Sequence, residues 1–454
     1  MKHSENTMWR YNHSIIVLLR LVSVIMCAFW FISCGTSKKI TEQTFEQKLS
    51  MMLDTSSVLS SGFTGLVLYD LDEKKVIFRR NESRYFVPAS NTKLFTLYAC
   101  LRILGDSIPA LRYVETDTSF TFWGTGDPTL LHPYFSESKT LSFLKSKSKT
   151  KKLYYFDGHS SIKHYGLGWM WDDYNDYYQA ELTPFPMFGN VLLVKKDSLG
   201  LTISPEISLE IMIKKSGVKR VKRMMEKNHF DFPEGLDTLS TYKQEIPYKD
   251  AANVNLNILE KLLNTKITKI GVRAPGKSKI LFSLQVDTVY RRMMQVSDNM
   301  LAEHLLLLCG SSLKDTISTD FSIEAVSSLF LSDLSQKPVW VDGAGLSRYN
   351  LTTPMSIVTL LQKMYQEFPE EKLFSMMAVG GGQGTLNGMF NENKEPFIYA
   401  KSGSMSGVYN LSGYMVTSTG KRLIFSFMNN NFNTSISSVR KEVDYILTEI
   451  KGLK

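Results

Sequence analysis

Acyl transfer through a serine needs a hydroxyl held in the open and a base for its proton. It also needs a relay that protonates the leaving amine and donors for the oxyanion. One protein solution uses Ser-x-x-Lys, Ser-x-Asn and Lys-Ser/Thr-Gly, in that order. Ser90-Asn91-Thr92-Lys93 fits the first element. With Ser90 at a helix start after Pro88-Ala89, Lys93 falls one turn on, on the same face. The helix dipole there favours negative charge on the serine oxygen. Burial and neighbouring cations lower a lysine's pKa, so a neutral Lys93 is the expected base. Ser297-Asp298-Asn299 fits the second element. Ser297 is the expected relay to the leaving amine, and Asn299 the expected partner of the substrate's amide carbonyl. Lys401-Ser402-Gly403 fits the third. Lys401, helped by the Ser402 hydroxyl, is expected to hold a C-terminal carboxylate, and Gly403 to let substrate approach a strand closely. The backbone N–H groups of Ser90 and Ser404 are the expected oxyanion hole.

Each element has look-alikes and a plainer reading. Ser142-Phe143-Leu144-Lys145 and Ser146-Lys147-Ser148-Lys149 repeat the first spacing in a polar stretch with no apolar helix after it. Ser297-Asp298-Asn299 is also a good N-cap for a helix starting at Met300. Lys215-Ser216-Gly217 repeats the third spacing, but in a basic stretch and ahead of Ser297. What selects Ser90, Ser297 and Lys401 is order together with setting.

The setting comes from the elements around them. A helical pattern covers about 44–59. Gly65 to Tyr69 and Val76 to Phe78 read as a hairpin across Asp70-Leu71-Asp72-Glu73-Lys74. Leu94 to Leu104 reads as an apolar helix stopped by Gly105. Residues 145–152, with Lys145, Lys147, Lys149, Lys151 and Lys152, read as a solvated loop. Lys214 to Lys227 reads as one charged face of a surface helix, with a patch facing wall or lipid as the alternative. Helical segments are expected at 286–296 and 300–309. Strands are expected at Phe397 to Ala400, Leu411 to Val416 and Leu423 to Met428, followed by an amphipathic helix over Ser435 to Ile450. These pieces predict an α+β fold in which one antiparallel sheet is covered by helices.

Composition sets the outer limits. With 43% hydrophobic and 21% charged residues the chain can bury a sizeable core, which excludes wholesale disorder. Near the start, Lys2 and Arg10 precede an apolar run from Leu21 to Ile32 that ends in Ser33-Cys34-Gly35. That run suits a signal-peptide h-region and is short for a bilayer span. Its end is similar to a lipoprotein cleavage box, so export and lipidation of Cys34 are expected, with membrane attachment through that lipid. A plain signal peptide and an uncleaved anchor stay open. The expected division is 1–34 as that signal peptide, a peptidase domain from 40–150 and 271–454, and an inserted region over 151–270. Cys100 and Cys309 sit in apolar surroundings and read as buried free thiols. The histidines are scattered without ligand spacing, so no metal site and no cofactor are expected. The net charge of +9 favours anionic lipid or cell-wall polymer, and no nucleic-acid-binding motif is present.

The three elements resemble those of the penicillin-binding proteins and serine β-lactamases. From Ser90 to Ser297 is 207 positions, and from Ser297 to Lys401 is 104. The long first gap resembles the class C low-molecular-mass penicillin-binding proteins, which are D-alanyl-D-alanine carboxypeptidases that also act as endopeptidases. Gly124-Thr125-Gly126-Asp127-Pro128-Thr129-Leu130 is similar to that family's GGGDPTL segment. Gly168-Trp169-Met170-Trp171-Asp172-Asp173 is similar to its GWxWDD, and residues Asp342 to Asn350 to its DGSGLSRxN. The resemblance implies the penicillin-binding/β-lactamase-like transpeptidase fold with a large insertion between the first two motifs. It implies a Ser90 acyl-enzyme formed on peptidoglycan stem peptides in the periplasm and trapped covalently by β-lactams. It also implies that Trp169, Asp172, Tyr177, Arg348 and Ser406 line a pocket for the free end of the peptidoglycan side chain. An acid and an arginine suit such a zwitterionic terminus. Either Asp172 or Asp173 is the aligned acid, and ordinary packing is the other reading of Trp169 and Tyr177. Two other functions compete. A β-lactamase of this fold would need rapid deacylation, and no family-specific water-activating glutamate is seen. A wall-binding scaffold would have a degenerate site, whereas all motif residues are intact here.

Overall fold

β-Branched and aromatic runs punctuated by turn residues set the strands, and longer apolar periodic runs set the helices. The computed structural model describes residues 44–135, 139–215, 219–391 and 395–452. The expected signal segment and Cys34 lie outside the described residues. After a helix over Phe45–Thr55 comes a hairpin of β1 (Phe63–Asp70) and β2 (Lys75–Arg80). Its turn is held by Asp70 Oδ1, which accepts the N–H groups of Asp72 and Glu73 at 2.9 Å each. A single turn, Ala89–Thr92, leads into the buried helix Lys93–Ile103. Then come β3 (Ser107–Glu115), β4 (Ser119–Gly124), a helix over Lys139–Ser148 and β5 (Lys152–Phe156). Six short strands follow: β6 (Val191–Asp197), β7 (Gly200–Ser204), β8 (Glu210–Lys214), β9 (Lys222–Arg223), β10 (His229–Pro233) and β11 (Tyr242–Pro247). The helix Ala251–Leu263 precedes β12 (Ile267–Ile270) and β13 (Lys279–Gln285). Helices Val286–Gln295, Asn299–Lys314, Thr319–Phe330, Pro354–Glu367 and Glu370–Met376 lead to β14 (Ala378–Val379). The chain then forms β15 (Ile398–Met405), β16 (Val408–Val416), β17 (Arg422–Asn430) and a helix over Ile436–Gly452.

The expected antiparallel sheet is present, in the order β14-β15-β16-β17-β1-β2. Its early and late strands meet where β1 pairs β17, with Leu66 opposite Phe427 and Leu68 opposite Phe425. Helices Lys93–Ile103, Asn299–Lys314 and Pro354–Glu367 share one core with it, through Leu94, Leu97, Leu301, Leu305, Ile357, Leu361 and Tyr414. From Met300 to Ser311 every side chain of the middle helix is buried, so it is a core helix on all sides. Each fully buried leucine there contributes about 1.5–3 kcal/mol. Cys100 and Cys309 bring their sulfurs to 3.7 Å inside this core as free thiols.

A second sheet has the order β12-β5-β4-β3-β13 and packs on Leu111, Phe122, Leu153 and Leu259. Two three-stranded sheets, β11-β6-β7 and β8-β10-β9, enclose Leu192, Val194, Phe230, Phe232 and Ile246. The strands outside the antiparallel sheet run from Ser107 to Gln285. A cut at 151 and 270 falls inside the second sheet, whose β3, β4 and β13 lie beyond those limits.

Two local expectations are corrected. Residues 145–148, expected in a loop, are the last turn of the helix Lys139–Ser148, and Lys152 already belongs to β5. That helix buries only Thr140, Leu141 and Leu144, so its lysine end shows no apolar period. Lys214 to Lys227 is not a surface helix among its described residues. Lys214 closes β8 and Lys222–Arg223 is β9. Arg223 is buried, with its guanidinium donating to Pro247 O, Met224 O and Met225 O. The basic run is therefore not one solvated face. Ser216 and Gly217 of the Lys-Ser-Gly look-alike lie outside the described residues. Among the described residues no helix is long and apolar enough to cross a membrane.

Candidate active site

The turn carrying Ser90 is built from backbone that few residues adopt. Ala89 has φ +47°, in the left-handed region, and Ser90 follows it, partly exposed, at the head of the buried helix. Neighbours overdetermine this conformation. Thr92 Oγ1 donates to Ala89 O at 2.9 Å. Asn91 Nδ2 donates to Ser412 Oγ at 2.8 Å, and Asn410 Nδ2 donates to Val87 O and Pro88 O at 2.9 Å. Two glycines complete the fit. A Cβ on Gly403 of β15 would stand 2.4 Å from Pro88 O and 3.0 Å from the Ser90 nitrogen. A Cβ on Gly345 would stand 1.9 Å from Ala89 O. The absence of a side chain at Gly403 lets the Ser90 turn approach β15 closely.

Lys93 sits directly beneath Ser90. Its Nζ lies 3.1 Å from Ser90 Oγ, 2.7 Å from Asn299 Oδ1 and 2.7 Å from Ala344 O. Burial lowers this ammonium to about 8, while the charges of Glu303, Asp342 and Asp298 pull the other way. The expected help from neighbouring cations is corrected: burial does the lowering, and the charged neighbours that act on Lys93 are acids.

Within Ser297-Asp298-Asn299 the N-cap falls to a single residue. Asp298 is the cap, with Oδ1 accepting Leu301 N–H at 3.1 Å and Oδ2 pairing with Arg292 Nε at 3.2 Å. The helix starts at Asn299, one residue earlier than expected, which leaves the Asn299 side chain free to meet Lys93. Ser297 is lifted into the bend by a φ of +63°.

Lys401 is wholly buried on β15, with its Nζ donating to Ser402 O at 2.7 Å. Burial, and then the charge of Lys93, push its ammonium well below the usual lysine range. β14 pairs with β15 only at Tyr399 and Ala400. On the other side Lys401 faces Ser412, Gly403 faces Asn410 and Ser404 faces Tyr409. Ser404 is exposed at the end of the strand, and Ser406 is exposed in the turn to β16.

The remaining expected residues are brought together only in part. Trp169 Nε1 donates to Asp342 Oδ2 at 2.9 Å, and Arg348 N–H donates to Gly168 O at 3.4 Å. The segments 168–173 and 342–350 therefore form one wall. Of the two candidate acids, Asp173 feels both Tyr178 and the Arg348 charge, against a larger upward push from burial. Asp172 is exposed beside it. Tyr177 faces a cavity of about 550 Å³ with Tyr134, Arg220, Lys243 and Arg292.

Glu303 has no part in the expected site, yet it holds the loop beneath it. It is 2% exposed, and its two oxygens accept Gly343 N–H at 3.1 Å and Ala344 N–H at 2.6 Å. Asp342 organises the same loop, accepting from Gly345, Ser347 and Asn350. The signal for Glu303 was present as an acid inside an otherwise apolar helical run, where carboxylates are rare unless engaged.

The chain is similar to known proteins over most of its length. The chain is 22% identical over 426 residues to the D-alanyl-D-alanine carboxypeptidase DacB of Haemophilus influenzae, covering 82% of this chain and 86% of that one. It is 23% identical over 445 residues to the penicillin-sensitive carboxypeptidase A of Dictyostelium discoideum, covering 82% and 84%. The crystal structure of penicillin binding protein 4 (dacB) from Haemophilus influenzae superposes with a TM-score of 0.72 at 18% identity, covering 89% of this chain and 99% of that one. The same relative was also solved in complex with a β-lactam, at a TM-score of 0.68. The fold is therefore the penicillin-binding one. The family model for D-Ala-D-Ala carboxypeptidase 3 (S13) matches residues 45–450, almost everything described above, and the chain belongs to that family.

Proposed function

We propose that Ser90 is acylated by D-Ala-D-Ala stem peptides with Lys93 as its base. The protein is a serine D-Ala-D-Ala carboxypeptidase with endopeptidase action on peptidoglycan, and it binds β-lactams. The observation that carries the assignment of roles is Lys93 Nζ, 3.1 Å from Ser90 Oγ in a buried site that lowers it to about 8. At pH 7 roughly a tenth of such a lysine is neutral, and the fraction rises with pH through 8.

Neutral Lys93 takes the Ser90 Oγ proton as Oγ bonds to the carbonyl carbon of the penultimate D-Ala. The oxyanion is held by the N–H groups of Ser90 and Ser404. When the C–N bond breaks, the leaving amine takes a proton through Ser297. Water then releases the acyl group from Oγ. Lys401 has its ammonium disfavoured by burial, so an arriving carboxylate supplies the charge that restores it. Ser402 and Gly403 line that subsite. In a β-lactam the broken amide leaves its nitrogen tethered, so the acyl-enzyme outlasts the encounter. The wall of Trp169, Asp173 or Asp172, and Arg348, with Ser406 and Tyr177, takes the free end of the stem side chain.

Fluorescent penicillin should label the wild type and leave Ser90→Ala unlabelled. Folded wild type that takes no label would sink the assignment. Mass spectrometry of muropeptides should show loss of terminal D-Ala and opened cross-links with the wild type alone.

The same proposal places the protein in the periplasm, attached to a membrane through lipidated Cys34. The apolar run before Ser33-Cys34-Gly35 supports this reading. Cells fed a labelled fatty acid should mark the wild type and not Cys34→Ser, and equal labelling of both would refute the anchor.

A further inference from the structure

Lys93 Nζ faces two oxygens that only accept, Asn299 Oδ1 and Ala344 O, each at 2.7 Å. Its third neighbour, Ser90 Oγ, can also donate. A neutral amine has two N–H bonds and one lone pair. With both N–H bonds committed to the carbonyls, the lone pair is left facing the Ser90 hydroxyl. The aim of the base therefore depends on where Ala344 O is held.

That carbonyl belongs to a loop pinned from two sides. Thr96 Oγ1 donates to Gly343 O at 2.7 Å. From the other side Glu303 receives the N–H groups of Gly343 and Ala344, one on each carboxylate oxygen. Two bonds from one buried carboxylate to consecutive peptides leave the loop little freedom to rotate. We propose that Glu303 is a positioning residue for acylation: it fixes the carbonyl that aims Lys93 at Ser90. This rests on the reading of Lys93 as the base.

The charged groups around the pair are few. Glu303, Asp342 and Asp298 act on Lys93, Lys93 in turn acts on Lys401 of β15, and Asp342 and Lys93 act on Glu303. Burial and then Asp342 push the Glu303 carboxyl up to about 8, against its two N–H donors and Lys93. The Glu303 carboxyl and the Lys93 ammonium therefore titrate in the same range. Of the acids that hold the proton on Lys93, Glu303 is the foremost. Removing its charge makes the lysine lose its proton at lower pH.

The test measures the acylation rate of the full chain by fluorescent penicillin from about pH 6 to about pH 10. Glu303→Gln keeps the shape of the side chain, loses the charge and turns one acceptor into a donor. Its rising limb should move acidward, and its plateau should fall about tenfold or more. Thr96→Val loosens the same loop without touching a charge, so it should lower the plateau and leave the limb in place. Glu303→Asp keeps the charge but draws it back from the two N–H groups, with the same expected result as Thr96→Val. A Glu303→Gln plateau within twofold of wild type overturns the proposal. If Glu303→Gln does not fold, a wild-type plateau in Glu303→Asp overturns it alone. Absence of label on the wild type is a different result and defeats the assignment of Ser90 instead.

Discussion

Lys93 and Lys401 are buried, with Ser90 and Asn299 partly buried against them, and the two lysine nitrogens face fixed acceptors. Asp172, Tyr177, Arg348 and Ser406, by contrast, are exposed. The first group is tied to β15, β16 and the core helices. Most of the second group comes from single turns and loops. In the buried group, loss of one partner strands a polar atom that water cannot reach, so the penalty falls on chemistry whatever the substrate. In the exposed group water replaces a lost contact, so the penalty falls only on substrates that use it. On the proposed roles, the division separates a general acylating device from a wall that reads the substrate.

Three substitutions break or sharpen that contrast. Asn299→Ala removes one of the two acceptors that orient Lys93, and should slow penicillin acylation about a hundredfold. A loss under threefold would mean the buried network is not what directs the base. Arg348→Ala should lower kcat/KM about tenfold, or about 1.4 kcal/mol, for stem peptides with a free side-chain end. Penicillin acylation should stay within twofold. Equal loss on both substrates would move Arg348 out of the reading wall and into the chemistry. Lys147→Ala lies outside both groups, where Lys147 Nζ meets Glu115 Oε1 at 2.7 Å near the surface. It should change stability by less than about 1 kcal/mol, as read by urea unfolding, and leave turnover untouched.

Much of the buried group is legible in the sequence because its chemistry restricts residue type. A serine, a lysine three on, an amide after Ser297 and a lysine entering a strand have few substitutes. Their order on recognisable helices and strands separates them from Ser142, Ser146 and Lys215. Glu303 is harder to see, since its partners are the backbone N–H groups of Gly343 and Ala344, and main chain carries no sequence signal. The exposed wall is least legible. Tyr177 and Tyr178 are neighbours in sequence, yet Tyr178 serves Asp173 while Tyr177 faces the cavity beside Arg292. The basic run after Lys214 was misread because burial of Arg223 depends on carbonyls from Tyr174 to Pro247. The helix Lys139–Ser148 was missed because its core contact is limited to three side chains.

The pairing of β1 with β17 sets an order in time. Thr64 meets Asn429, 365 positions away, and Val87 beside the Ser90 turn donates to Asn430. Sheets in the Ser107–Gln285 region draw all their strands from within it and have no such wait. The Ser90 turn, made early, stays without its supporting strands until nearly the whole chain is available. Closure across so long a loop makes assembly of the acylating device a late step in folding. A chain lacking β17 would lack the partners of β1 and of Val87 that support the Ser90 turn.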